Sequence, residues 1–259
     1  MISAHRCGAG SDRDLENTRA ALDRALTLDV DYVEFDVQRL GDGTFVLFHD
    51  DFVMLDGRSV PMADLTFDQF SGIADHFMRY DDVLAALKGV KAAHIDLKFV
   101  SPPDAYAQPE TTYEVAATRQ ALEILGPGQF IITTLEDRSV RVVRDWSTDT
   151  GIDLLVGLSL GRDTSEMSVV DALRTRFSEF FPGPRIRDSR ANLIVCHQRI
   201  ARYTVARFAR RRGLPLLVWT VDDPDALTYW LAQDISWLVT TNYPERAIEL
   251  RQTVQGQTA

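Results

Sequence analysis

The run Tyr32-Val-Glu-Phe-Asp-Val-Gln-Arg-Leu-Gly-Asp-Gly-Thr-Phe-Val-Leu-Phe-His-Asp50 constrains this chain more than any other segment. It reads as two strands joined at Asp42-Gly43. An Asp-Gly pair between apolar runs is a strong hairpin signal, because both central positions of a type I′ turn need positive φ. A two-residue loop there pairs Gly41 with Thr44 and sets Asp36 opposite His49. Glu34 and Asp36 are two apart, so they share one face of a strand. The hairpin is therefore expected to gather two carboxylates and an imidazole, which is material for a divalent cation with a proton-transfer group beside it. Such a pair can also be the solvated face of an antiparallel edge. Here the neighbours are Tyr32, Val33, Phe35, Val37, Phe45, Val46, Leu47 and Phe48. Charges amid so apolar a strand are costly unless paired or metal-bound.

Eight short apolar runs punctuate the chain, at 2–5, 32–37, 94–98, 130–134, 154–158, 192–196, 216–220 and 237–241. Most of the spacers carry apolar residues at helical spacing, at 16–28, 81–87, 112–125, 138–146, 169–180, 199–211 and 224–232. Strands alternating with helices mean parallel βαβ units, hence an α/β protein. Eight units in 259 residues suit a single (β/α)8 TIM barrel over 1–250, although seven or nine strands fit the pattern almost as well. The hairpin after strand 2 is extra to that plan, and 51–80 reads as a long irregular stretch. The tail 251–259 is polar and expected to fray.

Bulk properties narrow the function. A net charge of −10 and a pI near 5.0 argue against non-specific nucleic-acid binding. The basic run Arg207 to Arg212 reads as the last turns of a helix before Gly213, where cations suit the helix dipole. Cys7 and Cys196 form neither a disulfide framework nor a zinc motif. With no leader-like apolar segment and no run of 18 apolar residues, the expectation is a soluble, cytoplasmic protein without stable membrane insertion.

In a TIM barrel the chemistry sits at the C-terminal ends of the strands. The first run ends in His5-Arg6, the second in Glu34-x-Asp36 and the third in Asp96-x-Lys98, and the hairpin brings His49 to the same rim. Carboxylates without thiolates suit a hard cation, Mg²⁺ or Ca²⁺. Arg6 and Lys98 can hold an anion, and two histidines can serve as base and acid. Together these describe phosphate-ester cleavage. His94 shares the Asp96 face one layer deeper, His76 falls in the irregular stretch, and His197 ends the sixth run. Trp219, ending the seventh, is a candidate apolar wall for a substrate.

The ordered set Ala4-His5-Arg6, Glu16-Asn17-Thr18, Glu34-Phe-Asp36, Asp42-Gly43, His49-Asp50, Leu65-Thr-Phe-Asp-Gln69, Asp96-Leu-Lys98, Trp219-Thr-Val221 and Thr240-Thr-Asn-Tyr-Pro244 resembles the glycerophosphodiester phosphodiesterase family over nearly the whole chain. The resemblance implies a TIM barrel that hydrolyses a small glycerol-type phosphodiester to a phosphomonoester, such as glycerol 3-phosphate, and an alcohol. It implies His5 and His49 as the general acid/base pair, Glu34, Asp36 and Asp96 as metal ligands, and Arg6 and Lys98 as phosphate-binding residues. Glu16 would support the metal and Arg6. A neighbouring substrate hydroxyl would attack phosphorus, giving a cyclic phosphate that water then opens. Four positions depart from the family pattern. Asp96 stands where Glu is usual, Cys7 where Gly is customary, Leu15 where Pro is, and Asn242 where Asp is. Two other readings stay open. Phospholipase D-like lyases of the sphingomyelinase D type also place Asp at the third ligand position and stop at the cyclic phosphate. A barrel could also bind phosphorylated ligands without turnover, although retention of both histidines speaks against it. The leaving group, the choice of metal and the oligomeric state are not encoded in any readable motif.

Overall fold

The eight apolar runs become eight parallel strands that close on themselves. The computed structural model describes residues 1–232 and 236–256. Its strands are β1 (Ile2–Ala4), β2 (Tyr32–Arg39), β3 (Phe45–Leu47), β4 (Phe52–Leu55), β5 (Arg58–Pro61), β6 (Met78–Arg79), β7 (Ala92–Leu97), β8 (Phe130–Thr134), β9 (Val156–Leu160), β10 (Leu193–His197), β11 (Leu216–Trp219) and β12 (Leu238–Thr241). The barrel order is β1-β2-β7-β8-β9-β10-β11-β12, with β12 returning to β1. Its helices are α1 (Arg19–Thr27), α2 (Phe67–Ser71), α3 (Tyr80–Leu87), α4 (Tyr113–Leu125), α5 (Asp137–Asp149), α6 (Val169–Phe180), α7 (Gly183–Ser189), α8 (Gln198–Ile200), α9 (Ala206–Arg212), α10 (Pro224–Ala232) and α11 (Pro244–Gly256). A π-helical turn, Ala201–Val205, joins α8 to α9.

Alternation along each strand divides the core in two. Ile131, Leu193, Val195, Leu217 and Leu238 point into the lumen and form the floor beneath the mouth. Their neighbours Ile132, Ile194 and Val218 face outward and pack under the helices. Residues that are apolar on both faces explain why these strands read as unbroken apolar runs. The Arg207–Arg212 run closes α9, and Gly213 follows in the left-handed conformation at φ 63°.

The hairpin forms, but in a different register from the one expected. Arg39 pairs with Phe45 and Val37 with Leu47, so the pairing is shifted by one residue and Phe48, not His49, donates its backbone N–H to Asp36. The loop is three residues long: Leu40 N–H donates to Thr44 O across Gly41, Asp42 and Gly43. Only Gly43 has positive φ there. Tertiary contacts choose this shape. Asp42 accepts from Phe67 N–H at 2.7 Å, and a Cβ on Gly41 would lie 2.5 Å from the Ala63 carbonyl oxygen.

The stretch 51–80 is not irregular. β4 and β5 form a second hairpin whose Asp56-Gly57 turn does have both residues at positive φ, 50° and 75°. Thr66 and Gln69 make a capping box on α2, and β6 pairs with β3. Leu40, Val46, Val53, Met62, Leu65 and Phe70 form a separate small core under this insertion. The first part of the expected polar tail, 251–256, belongs to a helix. α11 continues to Gly256, and Arg251 binds Asp31 at 3.0 Å and Asp29 at 2.6 Å. Residues 257–259 of that tail lie outside the described residues.

Candidate active site

Parallel register builds the site directly. Across β2 and β7, Glu34 pairs with His94 and Asp36 with Asp96, while Asp96 pairs with Thr133 on β8. Ala4 of β1 pairs with Val33, which brings His5 and Arg6 beside Glu34. One carboxylate oxygen each from Glu34, Asp36 and Asp96 lie within 4.8 Å of one another. The three expected metal-ligand residues therefore come together, and Asp96, though a methylene shorter than Glu, still reaches the cluster.

Past β1 the chain turns sharply. Arg6 and Cys7 hold left-handed φ values of 46° and 63°, strained for side-chain-bearing residues. The turn aims Arg6 N–H at Glu34 Oε2, 2.6 Å away. The Arg6 side chain reaches Glu16 at 2.5 Å and Asp36 at 3.1 Å. Lys98 Nζ bridges Asp36 at 2.9 Å and Asp96 at 2.6 Å. Asn17 donates to Asp36 from Nδ2 and accepts Asp36 N–H at Oδ1.

These neighbours set opposite charge preferences on adjacent carboxylates. Burial alone would raise Asp36, but Lys98 and Arg6 outweigh it and hold its carboxyl well below the usual range. Glu34 has no such cationic side chain bound to it. Burial first, then the charges of Asp36 and Asp96, push it well above the ordinary carboxylate value. A buried acid lacking positive charge beside two other acids fits a hard divalent cation held by Glu34, Asp36 and Asp96.

Two imidazoles flank the cluster. His5 Nδ1 lies 2.7 Å from Asn242 Oδ1, while Asn242 donates Nδ2–H to Asp222 at 2.8 Å. With its amide nitrogen committed to Asp222, Asn242 can only accept from His5. The His5 proton thus sits on Nδ1 and leaves Nε2 as a base, 3.9 Å from Glu34. Burial, then the charge of Arg6, lowers the His5 pKa below 6.5. His49 follows the hairpin strand, and its Nδ1–H donates to Asp50 at 2.6 Å. Its side chain is 43% exposed against 14% for His5.

His5, Arg6, Glu34, Asp36, His49, Asp96, Lys98 and Trp219 all line one mouth cavity of about 540 Å³, with His197 on the far wall. Glu16 stands behind Arg6, and His76 is exposed. His94 lies below the cluster. Thr133 donates to Asp96 at 2.6 Å, so its hydroxyl accepts from His94 Nε2–H, and His94 Nδ1 accepts from Ser3. Burial holds His94 at a pKa of about 4, neutral at physiological pH.

Several of these residues were not picked out from sequence: Asn17, Thr133, Asp222, Asn242 as a ring-orienting partner, and Thr240. The first and the last two lie in motifs that were visible (Glu-Asn-Thr and Thr-Thr-Asn-Tyr-Pro). Thr133 and Asp222 lie at a strand end and just beyond one, with no motif to flag them. Trp219 Nε1 and Thr240 Oγ1 are buried in the mouth without a hydrogen-bond partner.

The far wall depends on a glycine. Gly161, at φ 123°, ends β9 with its Cα against His197, where a Cβ would lie 2.5 Å from His197 Cβ. Gly161→Ala is expected to lower stability by about 1–3 kcal/mol through forced φ and overlap. Urea denaturation checks this, and an unchanged midpoint would refute it.

A closed barrel whose mouth gathers three acids, two cations and two imidazoles defines a TIM-barrel enzyme for an anionic substrate. The match to the Glycerophosphoryl diester phosphodiesterase family covers residues 5–245, and the chain belongs to that family, one of phosphoric diester hydrolases. A glycerophosphocholine phosphodiesterase of Eremothecium gossypii is 38% identical over 71 residues, 27% of this chain and 5% of that much longer protein. A solved glycerophosphodiester phosphodiesterase of Parabacteroides distasonis superposes with a TM-score of 0.73 at 15% identity, covering 100% of this chain and 98% of that one. A phosphodiesterase of Oleispira antarctica in complex with the product sn-glycerol-3-phosphate superposes with a TM-score of 0.70 at 17% identity, covering 97% and 96%. At such identities the two structures speak to the fold.

Proposed function

We propose that this chain is a phosphodiesterase that hydrolyses a glycerophosphodiester, or a related head-group diester, to a phosphomonoester such as glycerol 3-phosphate and an alcohol. The observation that carries the reading is the convergence of Glu34, Asp36 and Asp96 within 4.8 Å, in the cavity that also holds His5, His49, Arg6 and Lys98. When bound there by the three carboxylates, Mg²⁺ or Ca²⁺ would supply charge stabilisation at phosphoryl oxygens.

The chain's own groups do the rest. Arg6 and Lys98 orient the phosphate, with Glu16 fixing the guanidinium. His5 Nε2 takes the proton of a neighbouring substrate hydroxyl as its oxygen bonds to phosphorus. His49 gives a proton to the departing alcohol as the P–O bond breaks. Water then opens the cyclic phosphate with the roles reversed, giving its proton to His49 while the ring oxygen takes one from His5. Trp219 Nε1 and Thr240 Oγ1, unpartnered in the mouth, suit a polyol hydroxyl.

A second cavity, about 580 Å³, meets the first at Arg6 and His49 and is lined by Phe48, Phe52, Met54 and Ile73 of the insertion. It supports the insertion as the holder of the leaving group. Two buried free cysteines accord with a reducing, cytoplasmic setting. Among the described residues no helix is long and apolar enough to cross a membrane.

Phosphorus NMR of a glycerophosphodiester digest tests the reading. A phosphomonoester signal that depends on divalent cation is expected. A persistent cyclic phosphate would assign the lyase reaction, which Asp96 favours. Tight binding without turnover would make the chain a phospho-ligand-binding barrel.

A further inference from the structure

α6 leaves most of its apolar side chains outside the core, unlike an ordinary barrel helix. Such helices normally turn an apolar stripe inward. Here the one fully buried side chain of the helix is a carboxylate, and only Phe180 of its apolar residues reaches the core. Fully buried Glu179 accepts Gly161 N–H at 2.7 Å, Arg162 N–H at 2.8 Å and Arg176 at 2.8 Å, which ties the loop carrying Arg162 to the mouth. The outward face carries Val169, Val170, Leu173 and Phe177, continued past the helix end by Phe181 and flanked by Tyr203. All six are between 57% and 76% exposed. The Phe177 and Phe181 rings lie 4.9 Å apart, so the row is continuous.

We infer that this face is the contact between two copies of the chain, paired about a two-fold axis that runs between their α6 helices. With aromatic side chains of about 200 Å² each, three of them more than half exposed, and three aliphatic residues beside them, the face offers on the order of 650 Å² per copy. That is above the largest patch usual on a monomer and near the ~800 Å² each partner buries in a standard interface. Val169, Leu173, Phe177 and Phe181 recur every four residues, a ridge that fits the groove beside the same ridge on an identical helix. The charges beside the ridge are met within one chain. Asp171 and Arg174 are exposed one turn apart beside the ridge and lie 3.6 Å from each other. Asp171 also accepts Ser168 Oγ–H at 2.7 Å, so neither charge is left unpaired against a second copy. A lipid surface fits less well. Asp163, Glu166 and Asp171 are exposed along the same loop and helix, in a chain of net charge −10.

Sedimentation velocity over about 1–100 µM chain, with circular dichroism melting to confirm folding, decides the matter. The expected result is a species of twice the 29.1 kDa chain mass. Leu173→Glu and Phe177→Glu, both facing solvent in the single chain, are expected to raise its dissociation constant at least tenfold. A single-chain mass at every concentration would overturn the inference. So would a dimer indifferent to these variants, or Leu173-dependent binding of single chains to phosphatidylcholine vesicles.

Discussion

His5→Ala is expected to lower turnover by 10²–10⁴-fold, and His49→Ala by a similar factor, with the barrel still folded. Both rings rest on the rim rather than in the core, so each loss should appear in kcat while the thermal midpoint moves little. Their Nδ1 atoms are committed, to Asn242 in one case and to Asp50 in the other, which leaves both Nε2 atoms free for the proposed proton transfers. Asn242→Ala should give an intermediate loss, because His5 stays in place but its tautomer is no longer imposed. The pH profile carries a further sign. Burial and Arg6 depress the His5 pKa, so His5 stays neutral, and able to accept a proton, to lower pH than a free imidazole. The acidic limb of kcat/KM should therefore lie below pH 6.5 and vanish in His5→Ala. Full turnover in either histidine variant, measured by release of alcohol, would end the acid/base assignment.

Glu34→Gln should cut divalent-cation affinity by more than about 100-fold, beyond the loss typical of an outer-shell change. Calorimetric titration with Mg²⁺ and with Ca²⁺ reads this directly. Glu34 is held above the usual carboxylate range by burial and by Asp36 and Asp96, so a cation binding there competes with protons. Affinity should rise with pH above 4.5, through the window in which Glu34 ionises, and the Gln variant should flatten that rise. Stability moves the other way. The folded state binds the extra proton, so metal-free stability declines as pH rises from 4.5 toward the elevated folded value. At neutral pH, metal-free Glu34→Gln should thus melt higher than the parent. An unchanged metal titration, or a lower melting point, would contradict the site as described.

Much of this was readable in the chain because periodicity and strand ends report on local physics. Alternating apolar runs mark parallel strands, and residues at their C-terminal ends share a rim whatever the loops do. Strand-end position alone points to the acids, the cations and both histidines that line the mouth. The hairpin shows its limit. Asp-Gly occurs twice, at 42–43 and at 56–57, and local chemistry treats both alike. Only the second forms the turn with two positive φ values. The first is remade by Phe67 and Ala63, twenty or more residues away. His49 then reaches the mouth from one residue beyond the expected pairing. The capping box at Thr66 and Gln69 was visible, yet 51–80 still read as irregular, because its small core forms only when β3, β6 and α2 meet.

Taken alone, the amino-acid order determined the βα rhythm, the family and the chemical types that meet at the mouth. Spacing and side-chain identity are local and survive without coordinates. The three-dimensional packing decided the hairpin register, the Asp222–Asn242–His5 relay and the contrast between Glu34 and Asp36. It also turned the apolar face of α6 outward. Each of these is a contact between distant segments, and its energy depends on burial and on which charges end up adjacent, quantities that exist only once the barrel has closed.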